Sequence, residues 1–208
     1  MIDDYPKLVE LRDRRNATLR IATREDEERL VRFFELIPEN ERNFLRYDVT
    51  DGEALDGWFG GPNWEDVFPL VAEVNNRIVG VGILQSYRTP WVSHVGEFWM
   101  VVAQNVRSSG LGRILANEMF GLAAELGMEK VGAEVRADYP AALKIFTQMG
   151  FLHEGVLTDY IKDQSGQTHD LIIMACNIKD YFQRLEAFGK KAVETRPTTA
   201  TPHANPPL

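Results

Sequence analysis

The spacing of apolar residues changes between a helical and a strand-like period several times along the chain. Between residues 111 and 126 apolar side chains recur every three or four positions, which predicts one amphipathic helix. Thr23 is predicted to begin an earlier helix, which Pro38 ends. Asp138 is predicted to cap a further short helix whose first turn contains Pro140.

Strand-like runs surround these helices. They occupy residues 8–11, 17–21, 67–74, 77–84, 95–102, 130–135, 152–161 and 169–177. Short connections such as the Asn75-Asn76 turn predict antiparallel neighbours, whereas the helix between 95–102 and 130–135 predicts a parallel pair. The sequence therefore predicts an α/β fold of the α+β type, with a single domain. Its mixed, mostly antiparallel sheet contains one central parallel βαβ unit and is flanked by helices.

The same pattern divides the 208 residues into four parts. We expect a leader at 1–7, the folded domain at 8–178, a C-terminal helix at 179–194 and a disordered tail at 195–208. The tail contains four of the ten prolines and few apolar residues, a composition typical of disorder. The apolar face of the C-terminal helix either docks on the domain or forms a homodimer contact. Inside the domain, Thr50 and Glu53 have the spacing of one more helix start.

Composition narrows the partners that we expect. With 23 basic and 31 acidic residues the formal net charge is −8, which disfavours binding to nucleic acid or to an anionic membrane. No run approaches the ~18 apolar residues of a membrane span, and the N-terminus has no signal-peptide core, so we expect a cytoplasmic protein. The single cysteine, Cys176, lies in an apolar run and is interpreted as a core residue.

A glycine-containing segment between the 95–102 strand and the next helix has the features of an anion site. It reads Arg107-Ser108-Ser109-Gly110-Leu111-Gly112-Arg113. The first N–H groups of a helix lack internal partners and carry partial positive charge, and glycines leave them accessible to a diphosphate. A Walker loop would need Lys-Ser/Thr after the last glycine. A dinucleotide-binding fingerprint requires an acidic residue that binds the ribose, and Glu134 lies near the expected spacing for it. Leu115, however, occupies the position of the third glycine of that fingerprint, which counts against it.

Two motifs in the chain resemble those of one known family. Arg107-x-x-Gly110-x-Gly112 is similar to the Q/R-x-x-G-x-G/A motif of the GNAT superfamily of N-acetyltransferases. Residues 142–151, which end in Gly-Phe, resemble the second signature of that family, and the resemblance covers about residues 9–177. It implies the GNAT fold, acetyl-CoA as co-substrate and transfer of an acetyl group to a primary amine. By this resemblance the cofactor contacts come from Met100, Val101, Val102 and the whole segment from Arg107 to Arg113.

Glu97 interrupts an apolar strand and is the candidate general base for the acceptor amine. Its apolar neighbours disfavour the charged carboxylate and so increase its affinity for a proton. The sequence from Gly96 to Val102 also resembles that of the bacterial protein-lysine acetyltransferase branch, where a glutamate at this position is the base. The acid for the departing thiolate stays open. Phe146 aligns with the usual tyrosine, which leaves Tyr139, Tyr160 or water.

The acceptor and two rival functions also stay open. Residues 9–36 resemble the same branch and favour a protein lysine, with a protein N-terminus and a small-molecule amine as alternatives. Because Phe146 stands where the family usually has a tyrosine and cannot donate a proton, a non-catalytic acyl-CoA sensor is an alternative function. A dinucleotide-dependent oxidoreductase is disfavoured because hairpins flank the βαβ unit. Histidines 94, 153, 169 and 203 are scattered, and no HExxH or paired-cysteine pattern predicts a metal.

Overall fold

The structure is a computed structural model that describes residues 4–42, 67–87, 89–163 and 166–194. Within these ranges eight strands form one sheet, in the order β1-β2-β3-β4-β5-β6-β8-β7. The strands are β1 Lys7–Glu10, β2 Asn16–Ile21, β3 Val67–Val74, β4 Arg77–Ser86, β5 Val95–Val102, β6 Lys130–Arg136, β7 Leu152–Lys162 and β8 Thr168–Asn177. The α-helices are α1 Glu27–Glu35, α2 Glu39–Arg42, α3 Leu111–Glu125, α4 Pro140–Met149 and α5 Ile178–Glu194.

Strand directions follow the lengths of the connections. Among the described strands β5 and β6 are parallel, joined by α3, and all other neighbours in the sheet run antiparallel. The β3–β4 turn places Asn75 and Asn76 at φ values of 50° and 61°, as a two-residue hairpin turn requires. The predicted mixed, mostly antiparallel sheet with a central parallel βαβ unit is confirmed.

Helices cover both faces of the sheet and bury two separate apolar clusters. On one face α3 packs against the sheet, and Phe98 of β5 belongs to this cluster. On the other face α1 buries Phe33 and Phe34, with Trp99 of β5 packed against them. Because side chains alternate along a strand, Glu97 lies on the same face as Trp99, the α1 face.

The C-terminal helix α5 docks on α3. Its Tyr181 is 4% exposed and stacks on Phe120, with ring centroids 3.7 Å apart and an interplanar angle of 5°. The Tyr181 hydroxyl donates a hydrogen bond to Asn117 of α3. The docked alternative for this helix therefore accounts for its buried aromatic residue.

Two local predictions have different outcomes. Thr23 begins the first helical segment as predicted, and its N–H donates to Asp26 Oδ2 over 2.9 Å. The predicted capping role of Asp138 is wrong, because Tyr139 is the N-cap residue of α4. The Asp138 carboxylate instead pairs with His169 at 3.0 Å and with Arg136, since β8 brings the histidine to the end of β6.

Two sequence predictions lie outside the described residues: the helix start at Thr50 and Glu53, and the tail at 195–208. None of the described helices combines the length and the apolar composition that crossing a bilayer requires.

Candidate functional site

The central parallel strand pair separates soon after it forms. β5 pairs with β6 only from Val95↔Lys130 to Glu97↔Gly132. Beyond this point β6 continues to Arg136 while paired with β8, and residues 98–102 of β5 continue while paired with β4. The β6-facing backbone of residues 98–102 therefore borders a wedge in the middle of the sheet, which an extended amide-containing chain could enter as an added strand.

The start of α3 lies at the end of this wedge and presents unpaired amides. Gly110 is its N-cap residue with φ +88°, a left-handed conformation that favours glycine, and Ser108 also has a positive φ of 64°. In the described part of the chain, no backbone carbonyl accepts from the N–H groups of residues 110, 111 and 112. The first turn of α3 contains no acidic side chain. Oriented amides and the helix dipole thus make this turn attractive to an anion.

The segment before α3 is fixed from inside the protein. Val106 is fully buried, and Ser109, 4% exposed, donates its hydroxyl to the Val106 carbonyl over 2.6 Å. The Ser109 carbonyl accepts from the N–H of Arg12 over 2.9 Å. The side chain of Ser109 therefore shapes the loop, and its predicted contact with the cofactor stays a prediction.

Arg107, the first residue of the motif, is held by two protein groups. Its Nε donates to the Val102 carbonyl over 3.2 Å, and its terminal nitrogens contact both carboxylate oxygens of Glu41 in α2 at 3.0 and 2.5 Å. The hydrogen bonds to Glu41 raise the pKa of Arg107 above its ordinary value. The structure thus joins the cofactor motif to the end of β5 and to α2, a contact that the sequence pattern did not predict.

Arg12 is a second cation at the loop and was missed by the sequence analysis. Its side chain lies against Gly110, where an added Cβ would be 3.3 Å from Arg12 Nε. Among the described residues no carboxylate pairs with Arg12. The β1–β2 turn brings it to α3 from about a hundred residues away in sequence, so no local signal could have indicated it.

Gly112 faces the end of β5 without being required there by the protein. A Cβ at this position would lie 3.7 Å from Met100 Cε and 3.8 Å from Val102 Cγ2, both ordinary contact distances. The helical backbone at residue 112 also has no need of glycine, because residue 112 is not among the residues with a positive φ. The missing side chain leaves space between α3 and the end of β5.

The candidate base has a hydrogen-bond partner that the sequence analysis did not identify. Tyr87, in the segment after β4, donates from its hydroxyl to Glu97 Oε2 over 2.5 Å. Tyr139 lies at the start of α4, near Arg107. Tyr160 is 64% exposed on β7, three strands from β5, or about 14 Å at ordinary strand spacing. The structure thus brings Glu97 together with Tyr87 and not with Tyr160.

Two further positions lie at the apolar cluster that α3 covers. Phe146 packs edge-on against Phe98 and Phe151, with centroid distances of 6.1 and 4.9 Å. Cys176 is buried, and burial raises the pKa of its thiol to about 11. Over the described ranges, no group of three or more His, Cys, Asp or Glu side chains is arranged to hold a metal.

A splayed parallel strand pair beside an amide-lined helix start is the arrangement of an enzyme that takes an acyl group from a phosphate-bearing thioester carrier. The model of the Acetyltransferase (GNAT) family matches residues 37–151, and because this is more than half of the chain, the protein belongs to that family. Members of the family use acetyl-CoA as co-substrate. The predicted family, fold and class of enzyme, an acetyl-CoA-dependent N-acetyltransferase, are confirmed.

Several solved structures share this fold. The acetyltransferase of the GNAT family from Streptococcus pneumoniae is 22% identical with a TM-score of 0.66, over 77% of this chain and 99% of that chain. The GNAT domain of S. lividans PAT is 19% identical with a TM-score of 0.68, over 82% and 96%. The ribosomal-protein-alanine N-acetyltransferase from Brucella melitensis is 25% identical with a TM-score of 0.65, over 76% and 98%.

Proposed function

We propose that this acetyltransferase moves the acetyl group of acetyl-CoA directly to a protein lysine, with Glu97 as the general base. The observation that carries the proposal is that no backbone carbonyl of the described residues accepts from the N–H groups of residues 110–112, which lie beside a wedge in the sheet. An amide row of this kind binds a diphosphate, and the wedge accepts the amide-containing arm attached to it.

The proposed cofactor contacts follow the order of groups along acetyl-CoA. The backbone of Met100, Val101 and Val102 holds the pantetheine arm, and the segment 107–113 holds the pyrophosphate. Arg12 adds a positive charge at the same turn, since its side chain lies against Gly110. Arg107 must exchange its Glu41 contact if its side chain is to reach the phosphates.

Glu97 is well placed to accept a proton from an amine that approaches from the α1 face of the sheet. It is the last residue of β5 that pairs with β6, and the wedge begins directly after it. Acetyl-CoA supplies the thioester carbon that the nitrogen attacks. Glu97 removes the proton that the nitrogen loses, which in general-base catalysis contributes about 10²–10⁴-fold to the rate. The thiolate is a good leaving group, so it can be protonated by water without a dedicated acid.

Three classes of amine are candidate acceptors. The structural neighbour from Brucella melitensis is named for acetylation of an alanine in a ribosomal protein, which keeps a protein N-terminus as the main competing acceptor. A small amine is the third class. The lysine proposal rests on the resemblance of residues 9–36 and of the strand containing Glu97 to the protein-lysine acetyltransferase branch.

One assay tests these statements together. Release of free thiol from acetyl-CoA is measured with three probes: a one-lysine peptide with a blocked N-terminus, a lysine-free peptide with a free N-terminal alanine, and spermidine. We expect the lysine peptide to be acetylated best, as checked by mass spectrometry. Preference for either of the other probes would reject the lysine acceptor. Binding of acetyl-CoA without thiol release from any probe would support the sensor alternative.

The base is tested with a matched pair of variants. Glu97→Gln should lower kcat by roughly 10²–10⁴-fold and leave acetyl-CoA binding nearly unchanged, because only the proton acceptor is lost. Glu154→Gln makes the same chemical change on β7, where the carboxylate pairs with Lys130 in an exposed position. It should keep full activity. Full activity of Glu97→Gln would exclude the role of Glu97.

A further inference from the structure

We propose that Tyr87 is a positioning residue for this reaction. Its hydroxyl holds the Glu97 carboxylate in the orientation in which it accepts a proton from the acceptor amine. The inference rests on the proposed role of Glu97 as the base. It concerns a residue that belongs to neither family motif and that directly follows β4.

The register of the β4–β5 hairpin explains how Tyr87 reaches Glu97. Ser86 pairs with Gly96, and Gln85 pairs with Glu97. Continuing the antiparallel register by one residue puts Tyr87 at the level of residue 95, on the same face as Glu97 and diagonal to it. Diagonal neighbours on one face have Cα atoms about 7–8 Å apart, within reach of an aromatic side chain.

The hydrogen bond has the properties that a catalytic carboxylate needs from its support. The Tyr87 hydroxyl to Glu97 Oε2 distance of 2.5 Å is at the short end of the range for a hydroxyl donating to a carboxylate. The hydrogen bond also restricts rotation of the Glu97 carboxylate. A base held in this way loses less conformational freedom when the amine arrives.

The chain contains a matched contact that distinguishes this role from simple stabilisation. Tyr5 donates to Glu118 Oε2 of α3 over 2.8 Å, also from a phenol to a glutamate carboxylate. That pair involves α3 and the N-terminal segment, and neither residue lies on β4 or β5. Removing the Tyr5 hydroxyl therefore deletes the same kind of hydrogen bond without touching the proposed base.

The experiment is a double-mutant cycle on turnover, with Tyr87→Phe, Glu97→Gln and the double variant, and with Tyr5→Phe as the control. Thiol release from saturating acetyl-CoA is measured with whichever of the three probe amines the wild-type protein acetylates fastest. We expect Tyr87→Phe to lower kcat about 10- to 100-fold, with the KM for acetyl-CoA within about twofold of wild type. The double variant should be no slower than Glu97→Gln alone, because Tyr87 acts through Glu97. Tyr5→Phe should keep wild-type turnover.

Each other outcome identifies what has failed. If Tyr87→Phe has wild-type kcat while Glu97→Gln is slow, the positioning role is wrong and the base survives. If the effects of the two substitutions multiply in the double variant, Tyr87 does not act through Glu97, and the inference is again rejected. If Glu97→Gln is fully active, or if no probe releases thiol, the proposed function fails and the inference fails with it. Thermal unfolding of every variant establishes that lost turnover is not lost folding.

Discussion

Two substitutions at Gly112 should change stability and cofactor binding independently of each other. Gly112 is the second residue of α3, where glycine costs about 0.5–1 kcal/mol relative to alanine through its backbone entropy. An alanine Cβ would meet Met100 Cε at 3.7 Å and Val102 Cγ2 at 3.8 Å, so the protein can contain it without strain. We therefore expect Gly112→Ala to stabilise the free protein by about 0.5 kcal/mol, a rise in Tm of about 1–2 °C for a domain of this size.

Gly112→Val should leave the stability of the free protein near that of wild type, since its branched side chain loses the helical advantage of alanine. Its two additional methyl groups, however, project into the space between α3 and the wedge. If they displace a phosphate from one amide, the loss is one hydrogen bond to a charged group, about 1.5–3 kcal/mol, or roughly 10- to 150-fold in Kd. Alanine should bind acetyl-CoA nearly as well as glycine, because the family motif accepts either residue at this position.

The measurements are differential scanning calorimetry of the free variants and titration calorimetry with acetyl-CoA. The informative result is the combination of unchanged folding and weakened binding in Gly112→Val. Binding of acetyl-CoA to this variant with wild-type affinity would refute the reasoning, because the phosphates would then not approach the start of α3. A large loss of stability in the free Gly112→Ala protein would show instead that the glycine is needed by the fold.

Three further predictions use other parts of the structure. Burial opposes ionisation of Asp26. The hydrogen bonds from Arg20 and the Thr23 N–H, together with the charges of Arg20 and Arg29, outweigh burial and lower the pKa of Asp26 to about 2. Its contribution to stability is therefore complete above its ordinary pKa of 3.8 and is lost as the pH falls through about 2. In urea unfolding Asp26→Asn should lose about 2 kcal/mol at pH 7 and about half as much at pH 3, and an equal loss at both pH values would contradict this cause. Because the Cys176 thiol has a pKa of about 11, it should resist maleimide at pH 7.5 in the native protein, and Cys176→Ala should retain full activity. Rapid labelling of Cys176 without unfolding would disprove its burial. Glu41→Gln should tighten acetyl-CoA binding severalfold in titration calorimetry, since Arg107 then has no carboxylate partner to leave, while weaker binding would show that the ion pair supports the site.

The elements near the site could be predicted from sequence because each depends on neighbours within a few residues. The apolar face after residue 110 predicts α3, and the Asn75-Asn76 turn predicts the hairpin that precedes β5. The parallel direction of β6 follows from the helical connection alone. Each of these signals lies within a few residues. The length of each connection and the right-handedness of the crossover then determine the directions of the strands.

The side-chain contacts of the site could not be predicted in the same way. Arg107 and Glu41 are 66 residues apart in sequence, and Arg12 reaches Gly110 through the β1–β2 turn. The Asp138 prediction failed for a related reason, since a local capping rule cannot anticipate that His169 of β8 supplies a competing partner. The Tyr87–Glu97 hydrogen bond needs less information to predict, because the β4–β5 register places the two residues together once the exact end of β4 is known.

The position of Arg107 changes how the motif that contains it should be understood. A basic residue three positions before the first glycine suggests a phosphate ligand, yet its Nε is used by the Val102 carbonyl at the end of β5. That bond connects the strand bordering the wedge to the loop that precedes the unpaired amides. A side chain that spans these two parts fixes their separation, which the distance between thioester and pyrophosphate in one extended cofactor must match. In the proposed function the amides bind the pyrophosphate, and the bond from Arg107 Nε to Val102 fixes the spacing at which they are presented.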